Sequence, residues 1–207
     1  MIRIRDKKIF VKKDPDRDVT IAEVARWSYF QKNSPIITSG YYNGPYLPKH
    51  DPITYYGYPS PALVFATHIA EVEVDSETGA VSLKNFVAAH DLGRAINPET
   101  AEGQIEGGVM MGLGWALTEE VTFEKGEFKN PSFRDYKLLT ALDIPEIFPI
   151  LVESVDPNGP YGAKGLGECA MVPTAPAVVN AIYNAIGVRI KNLPATPEKI
   201  LAEIKKL

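Results

Sequence analysis

Three stretches of this sequence hold residue types and spacings that could do chemistry: His90-Asp-Leu-Gly-Arg-Ala-Ile-Asn-Pro98, Gln104-Ile-Glu-Gly-Gly-Val-Met-Met-Gly-Leu-Gly114 and Gly162-Ala-Lys-Gly-Leu-Gly-Glu168. The last is the sharpest. Gly162, Gly165 and Gly167 leave the backbone bare, so its N–H groups can face an anion or a polar ligand. They deliver the Glu168 carboxylate just ahead of an expected helix, and a rigid element behind a carboxylate can aim it into a cleft. A Gly-rich turn with a solvated Glu at a helix start, where the dipole favours negative charge, explains the same residues equally well. A phosphate-binding loop does not. Lys164 is followed by Gly165 rather than Ser or Thr, and the spacing before it misses G-x-x-x-x-G-K-[ST]. No G-x-G-x-x-G follows a strand with an acid about 20 residues on. His50, His68 and His90 are far apart and Cys169 is the single cysteine, so no protein-ligated zinc set is visible. His90 closes a strand and reads better as a hydrogen-bonded core histidine than as a ligand. Cys169 reads better as a packed thiol than as a nucleophile.

The elements around these stretches follow from local pattern. Ile2 to Ile4 and Ile9 to Val11 are short strands about a turn, and Thr20-Ile-Ala-Glu23 is a capping box that should start a helix. Phe65–Asp75 and Ala80–Asp91 form a hairpin closed by Ser76-Glu-Thr-Gly79. Asn97-Pro98 opens a helix expected from about Glu99 to Leu117. Gly103, Gly107, Gly108, Gly112 and Gly114 lie inside it, each costing roughly 1 kcal/mol relative to Ala. Close approach of another backbone or of a ligand is the usual compensation. A strand from Phe148 to Val155, a small-residue helix from Thr174 to Ile186 and a capped amphipathic helix after Pro194 complete the chain. Hairpins and helices alternate irregularly, which points to an α+β fold of mixed sheets and hairpins with packed helices. Residues from Ser39 to Pro61 have no helical period and carry Tyr41, Tyr42, Tyr46, Tyr55, Tyr56 and Tyr58. A loop so rich in tyrosine suits an interface, and the chain is expected to associate through it.

Composition narrows the class. The 207 residues are 45% hydrophobic, 23% charged and 10% aromatic, which excludes disordered, collagen-like and coiled-coil chains. A net charge of −4 without a basic stripe argues against a nucleic-acid partner. The apolar runs are interrupted well before the ~18 residues of a membrane span, and no apolar signal core follows Met1. With a lone cysteine, these features point to the cytoplasm.

In this order, the three stretches resemble the C-terminal molybdopterin-binding region of the xanthine dehydrogenase/aldehyde oxidase family of molybdenum hydroxylases. Asp91-Leu-Gly-Arg-Ala-Ile-Asn-Pro98 is similar to its D-x-G-x-x-x-N-P segment, and Gln104 through Gly114 to its glutamine-glycine helix. Lys164-Gly-Leu-Gly-Glu168 is similar to the loop ending in the catalytic glutamate. The hairpin run Glu71-Val-Glu-Val-Asp75 also looks like the family's, and the likeness extends over residues 1–207. The resemblance implies a molybdenum-molybdopterin cofactor, or its cytosine dinucleotide form, with the metal held by the pterin dithiolene rather than by side chains. It implies Glu168 as the base that takes the proton of a molybdenum-bound hydroxyl, in an apolar, Gly-lined setting. Gln104, Gly107, Gly108, Lys164, Gly165 and Gly167 become the cofactor contacts. The reaction implied is oxidation of an electron-poor carbon of a heterocycle or aldehyde with water-derived oxygen. Relatives place a much longer stretch before this region, and the iron–sulfur and flavin modules have no counterpart here. The chain is therefore expected to be a split subunit or a fragment. It would be active only with a longer molybdenum-binding chain, an iron–sulfur subunit and a flavin subunit. The alternative is a non-catalytic structural or cofactor-holding partner.

Overall fold

The computed structural model describes residues 1–42, 44, 51, 53–57 and 62–206. It divides into two units, Met1–Asn43 and Gly44–Leu207. The first is an antiparallel sheet of β1 (Ile2–Arg5), β2 (Lys8–Val11) and β3 (Asp14–Thr20), followed by α1 (Ile21–Arg26) and a π-helical turn. The capping box forms as expected. Thr20 Oγ1 accepts from the Glu23 N–H at 3.1 Å, and the Glu23 carboxylate accepts from the Thr20 N–H at 2.8 Å. Strand β3 was not anticipated, because Asp14-Pro-Asp-Arg-Asp reads as a charged, broken run. It lies at the sheet edge, where one side needs no ladder partner and both proline and charge are tolerated.

The second unit is built on the hairpin of β4 (Ala66–Val74) and β5 (Val81–Asp91). The turn is held by Asp75, whose carboxylate accepts from the Glu77 N–H at 2.8 Å. Strand β8 (Glu146–Val152) joins β5 in parallel, so the sheet order is β4-β5-β8. A small hairpin, β6 (Phe123–Glu124) with β7 (Glu127–Phe128), comes between. Phe86 and Ala88 of β5 face a core completed by Ile105, Val109 and Leu113 of α2 (Pro98–Leu117) and by Val178 and Ile182 of α3 (Thr174–Ile186). Ile200 of α4 (Pro197–Ile204) closes it. Asn97 caps α2, its side chain accepting from the Thr100 N–H at 3.3 Å, and Pro98 takes the first helical position. The architecture is α+β.

One expectation changes. Residues 168–186 are apolar and long enough to cross a membrane by length and composition, contrary to the reading that every apolar run is too short. In the fold this segment is a 3₁₀ turn, residues 171–173 and α3, whose thirteen residues reach only ~20 Å at 1.5 Å per residue. Thr174, Ala175, Val178 and Ile182 of α3 are buried in the core. In the tyrosine-rich stretch, Tyr41, Tyr42, Tyr55 and Tyr56 are exposed, while Tyr46, His50 and Tyr58 lie outside the described residues.

Candidate active site

The loop that ends in Glu168 is fastened to the end of β5 before it reaches the carboxylate. Asp91 is only 7% exposed, and its carboxylate accepts from the Lys164 ammonium at 2.5 Å and from the Gly93 N–H at 3.1 Å. Burial alone would raise the Asp91 pKa. The lysine hydrogen bond, the N–H groups of Gly93 and Ser154 and the lysine charge outweigh it, and the pKa lies below the ordinary carboxylate value. The backbones follow the side chains. Lys164 N–H donates to the Leu92 carbonyl and Arg94 N–H to the Gly162 carbonyl, each at 2.8 Å. Gly93 has φ +65°, and a Cβ there would stand 2.4 Å from the Gly162 oxygen, so only glycine permits this approach. Asp91 to Pro98 is thus a clamp that holds the loop at one end and starts α2 at the other.

Helix α2 makes the second fastening. Gln104, Gly108 and Gly112 recur every four residues and so share one stripe of the helix. Gln104 Nε2 donates to the Gly167 carbonyl at 2.9 Å. A Cβ on Gly108 would lie 2.6 Å from the Ala170 Cβ, and one on Gly112 would lie 2.5 Å from the Thr174 Cβ. The stripe therefore meets residues 167, 170 and 174 in step, and the absence of side chains lets the chain after the loop lie down on it. The 3₁₀ turn Glu168–Ala170 is closed by Met171 N–H donating to the Glu168 carbonyl at 3.0 Å. The Cys169 thiol points back to the Gly165 carbonyl at 3.9 Å. Burial pushes that thiol up from its ordinary pKa, which fits a packed thiol.

Glu168 itself is exposed, not enclosed in the apolar setting expected from the sequence. The flanking Gly165 and Gly167 have no atom within 4 Å of where a Cβ would stand. The stripe brings together Gln104, Gly108, Gly167 and Glu168. Gly108 is buried against Ala170. The Lys164 ammonium is engaged by Asp91. Gly107 is exposed and borders, with Gly103, Met110 and Ile147, a shallow groove of about 340 Å³. His90 is fully buried with its Nε2 2.6 Å from the His68 Nε2, as a hydrogen-bonded core histidine should be. Sequence pattern does not announce the partnerships of Asp91 with Lys164 and of Gly112 with Thr174. Their motif and glycine signals are visible, but the partners are remote in sequence.

The fold and this site define a class. The family description "Molybdopterin cofactor-binding domain" matches residues 1–145, which include Asp91, Gly93 and Gln104, and the chain belongs to that family. Among its relatives is the putative xanthine dehydrogenase molybdenum-binding subunit XdhA of Escherichia coli K12. It is 39% identical over 141 residues, 67% of this chain and 19% of the relative. The aldehyde oxidoreductase molybdenum-binding subunit PaoC of the same organism is 38% identical over 143 residues, 68% of this chain and 20% of its own. Among solved structures, quinoline 2-oxidoreductase from Pseudomonas putida 86 superposes with a TM-score of 0.73 at 32% identity. That match covers 99% of this chain and 26% of the quinoline enzyme's chain, so the likeness extends through the Glu168 loop. The chain spans about a fifth of the length of the two curated relatives.

Proposed function

We propose that this chain is the catalytic-base part of a molybdenum hydroxylase that oxidises an electron-poor carbon of a heterocycle or an aldehyde with oxygen derived from water. The observation that carries the reading is an exposed carboxylate on a turn whose backbone is tied on both sides. Glu168 stands free while Gly167 is held by Gln104 and Ala170 is seated on Gly108. A general base needs this combination, because its carboxylate must reach to within about 3 Å of the proton it takes and be held there. Glu168 would accept the proton of the oxygen that attacks the substrate carbon, and the hydride lost from that carbon would go to the two-electron oxidant the cofactor supplies.

The residues fit a pterin cofactor. Gly103, Gly107, Gly165 and Gly167 have open space where side chains would stand, so bare backbone is presented next to Gln104 and Glu168. Among the described residues, no three His, Cys, Asp or Glu side chains are placed to hold a metal, and the metal would arrive within the cofactor. Gln104, Gly107, Gly165 and Gly167 hold that cofactor, either molybdopterin or its cytosine dinucleotide form. When bound, it supplies the two-electron oxidation chemistry, and iron–sulfur clusters and flavin on partner chains carry the electrons onward. A longer molybdenum-binding chain completes the substrate pocket and covers Glu168. The assembly works in the cytoplasm, where Cys169 stays reduced.

Purification of the chain from its source cell, with metal analysis and identification of whatever accompanies it, tests this reading. Bound molybdopterin and longer partner subunits support it. A stable chain that arrives alone, without pterin, overturns it in favour of a non-catalytic role.

A further inference from the structure

Beneath the Glu168 turn lies a polar chain that the proposed function leaves unused. His68 on β4 and His90 on β5 share the sheet face that carries Phe86 and Ala88, since His68 pairs with Ala88 and His90 with Ala66. Phe86 stands edge-on to the His68 ring at 5.2 Å, and the two imidazole Nε2 atoms are 2.6 Å apart. The His68 Nδ1 lies 3.2 Å from the Thr174 Oγ1, and that buried hydroxyl donates to the Ala170 carbonyl at 3.2 Å.

The distances admit two proton arrangements, and the proposal takes the one in which the Thr174 hydroxyl gives its single proton to the Ala170 carbonyl. In that arrangement the Thr174 oxygen accepts from His68 Nδ1–H. A neutral imidazole has one donor, so His68 Nε2 accepts from His90 Nε2–H. That leaves His90 Nδ1 as a bare acceptor. It is the buried side-chain nitrogen without a partner among the described residues. Burial holds both rings in the neutral form this arrangement requires, and the neighbouring His90 adds to the effect on His68.

We propose that His68 and His90 are positioning residues, which orient the Thr174 hydroxyl onto the Ala170 carbonyl and so hold the turn that presents Glu168. The proposal deepens the reading of Glu168 as the base and rests on it. A threonine hydroxyl alone can swing between acceptors. With its lone pair taken by His68 Nδ1–H, its proton has one direction left. The tie is needed because the turn is short and Gly165 and Gly167 beside it are exposed, while Gln104 holds it from the exposed side.

The test uses the full chain and two substitutions at one position. Thr174→Val keeps the branched shape that meets Gly112 and loses the hydroxyl, whereas Thr174→Ser keeps the hydroxyl and loses the methyl. The readout is hydrogen exchange of the Met171 amide, which bonds to the Glu168 carbonyl. The valine variant should exchange at least about tenfold faster, the loss expected for one buried hydrogen bond, with the serine variant near the parent rate. Serine exchanging as fast as valine, or valine at the parent rate, overturns the proposal. Ring nitrogen shifts in the unaltered chain give a second check that needs no variant. They should show His68 as the Nδ1–H tautomer and His90 as Nε2–H, and the opposite tautomers overturn the assignment. In the assembled enzyme, the valine variant should lower kcat with little change in KM. If exchange behaves as expected while Glu168→Gln leaves activity intact, the base reading fails and the tie to the turn stands.

Discussion

Glycines at the Glu168 end of the molecule obey two different rules, although they look alike in sequence. Gly108 and Gly112 are buried, and a single added carbon would collide with Ala170 and Thr174 at 2.6 and 2.5 Å. Gly103, Gly107, Gly165 and Gly167 meet nothing within 4 Å of the same position. The first pair lets the helix backbone receive the Ala170 and Thr174 side chains, and its cost in helix propensity is offset by packing. The second set leaves backbone bare toward space that a ligand or partner can fill. A glycine-rich helix is therefore not one signal, and the neighbour across the gap decides which kind each glycine is.

If that division holds, substitutions on the open side change activity and those on the packed side change stability. The largest effect belongs to the open side. Glu168→Gln in the assembled enzyme should lower turnover by about 10²–10⁴-fold while leaving molybdenum content unchanged, because an amide cannot take the proton. Retention of more than about a tenth of the activity would remove Glu168 from the role of base.

On the packed side, Lys164→Met leaves the buried Asp91 carboxylate without its cation. Urea unfolding should show a loss of about 3 kcal/mol, and parent-like stability would mean the clamp contributes nothing to the fold. Gly108→Ala should cost roughly 1–3 kcal/mol by overpacking against Ala170.

Gly107→Ala sharpens the contrast from the other direction. The isolated chain should gain about 0.5–1 kcal/mol from helix propensity, while pterin retained by the assembled enzyme falls. Equal effects of alanine at 107 and 108 would erase the distinction between the two sets. The smallest effect is a pH dependence. The His68 pKa is pushed from 6.5 to about 4, mainly by burial and then by His90. The unfolded chain thus takes up its proton first as pH falls. The stability due to the neutral ring is complete above about 6.5, drains as pH falls toward 4, and levels off once the folded ring is protonated. His68→Phe should flatten that slope in urea titrations across the window.

Much of the local structure was legible. The β4–β5 hairpin, α2, and α3 from Thr174 to Ile186 stand within a residue or two of where pattern and caps place them. Thr20, Asn97 and Thr196 each accept the hydrogen bond that begins a helix. Such signals act over three or four neighbouring residues, so a sequence can carry them unaided. Strand β3 was hidden because its charges and proline are unfavourable in a strand until an edge position makes them acceptable. The pairing of β8 with β5 in parallel has no turn to announce it.

The candidate site divides along the same line. Glu168 with its glycines, Gln104 and the segment from Asp91 to Pro98 stand out by residue type and order, and their resemblance to molybdenum hydroxylases agrees with the family found. The sequence by itself therefore determined which groups are on hand and which family they belong to. Tertiary structure alone decided that Lys164 turns to Asp91, that Gly108 receives Ala170, and that Thr174 ties the turn to two buried histidines. Each of those choices joins residues distant in the chain through contacts of a few ångströms. Side-chain type states what a residue can bond to, but only the folded backbone decides what comes within reach.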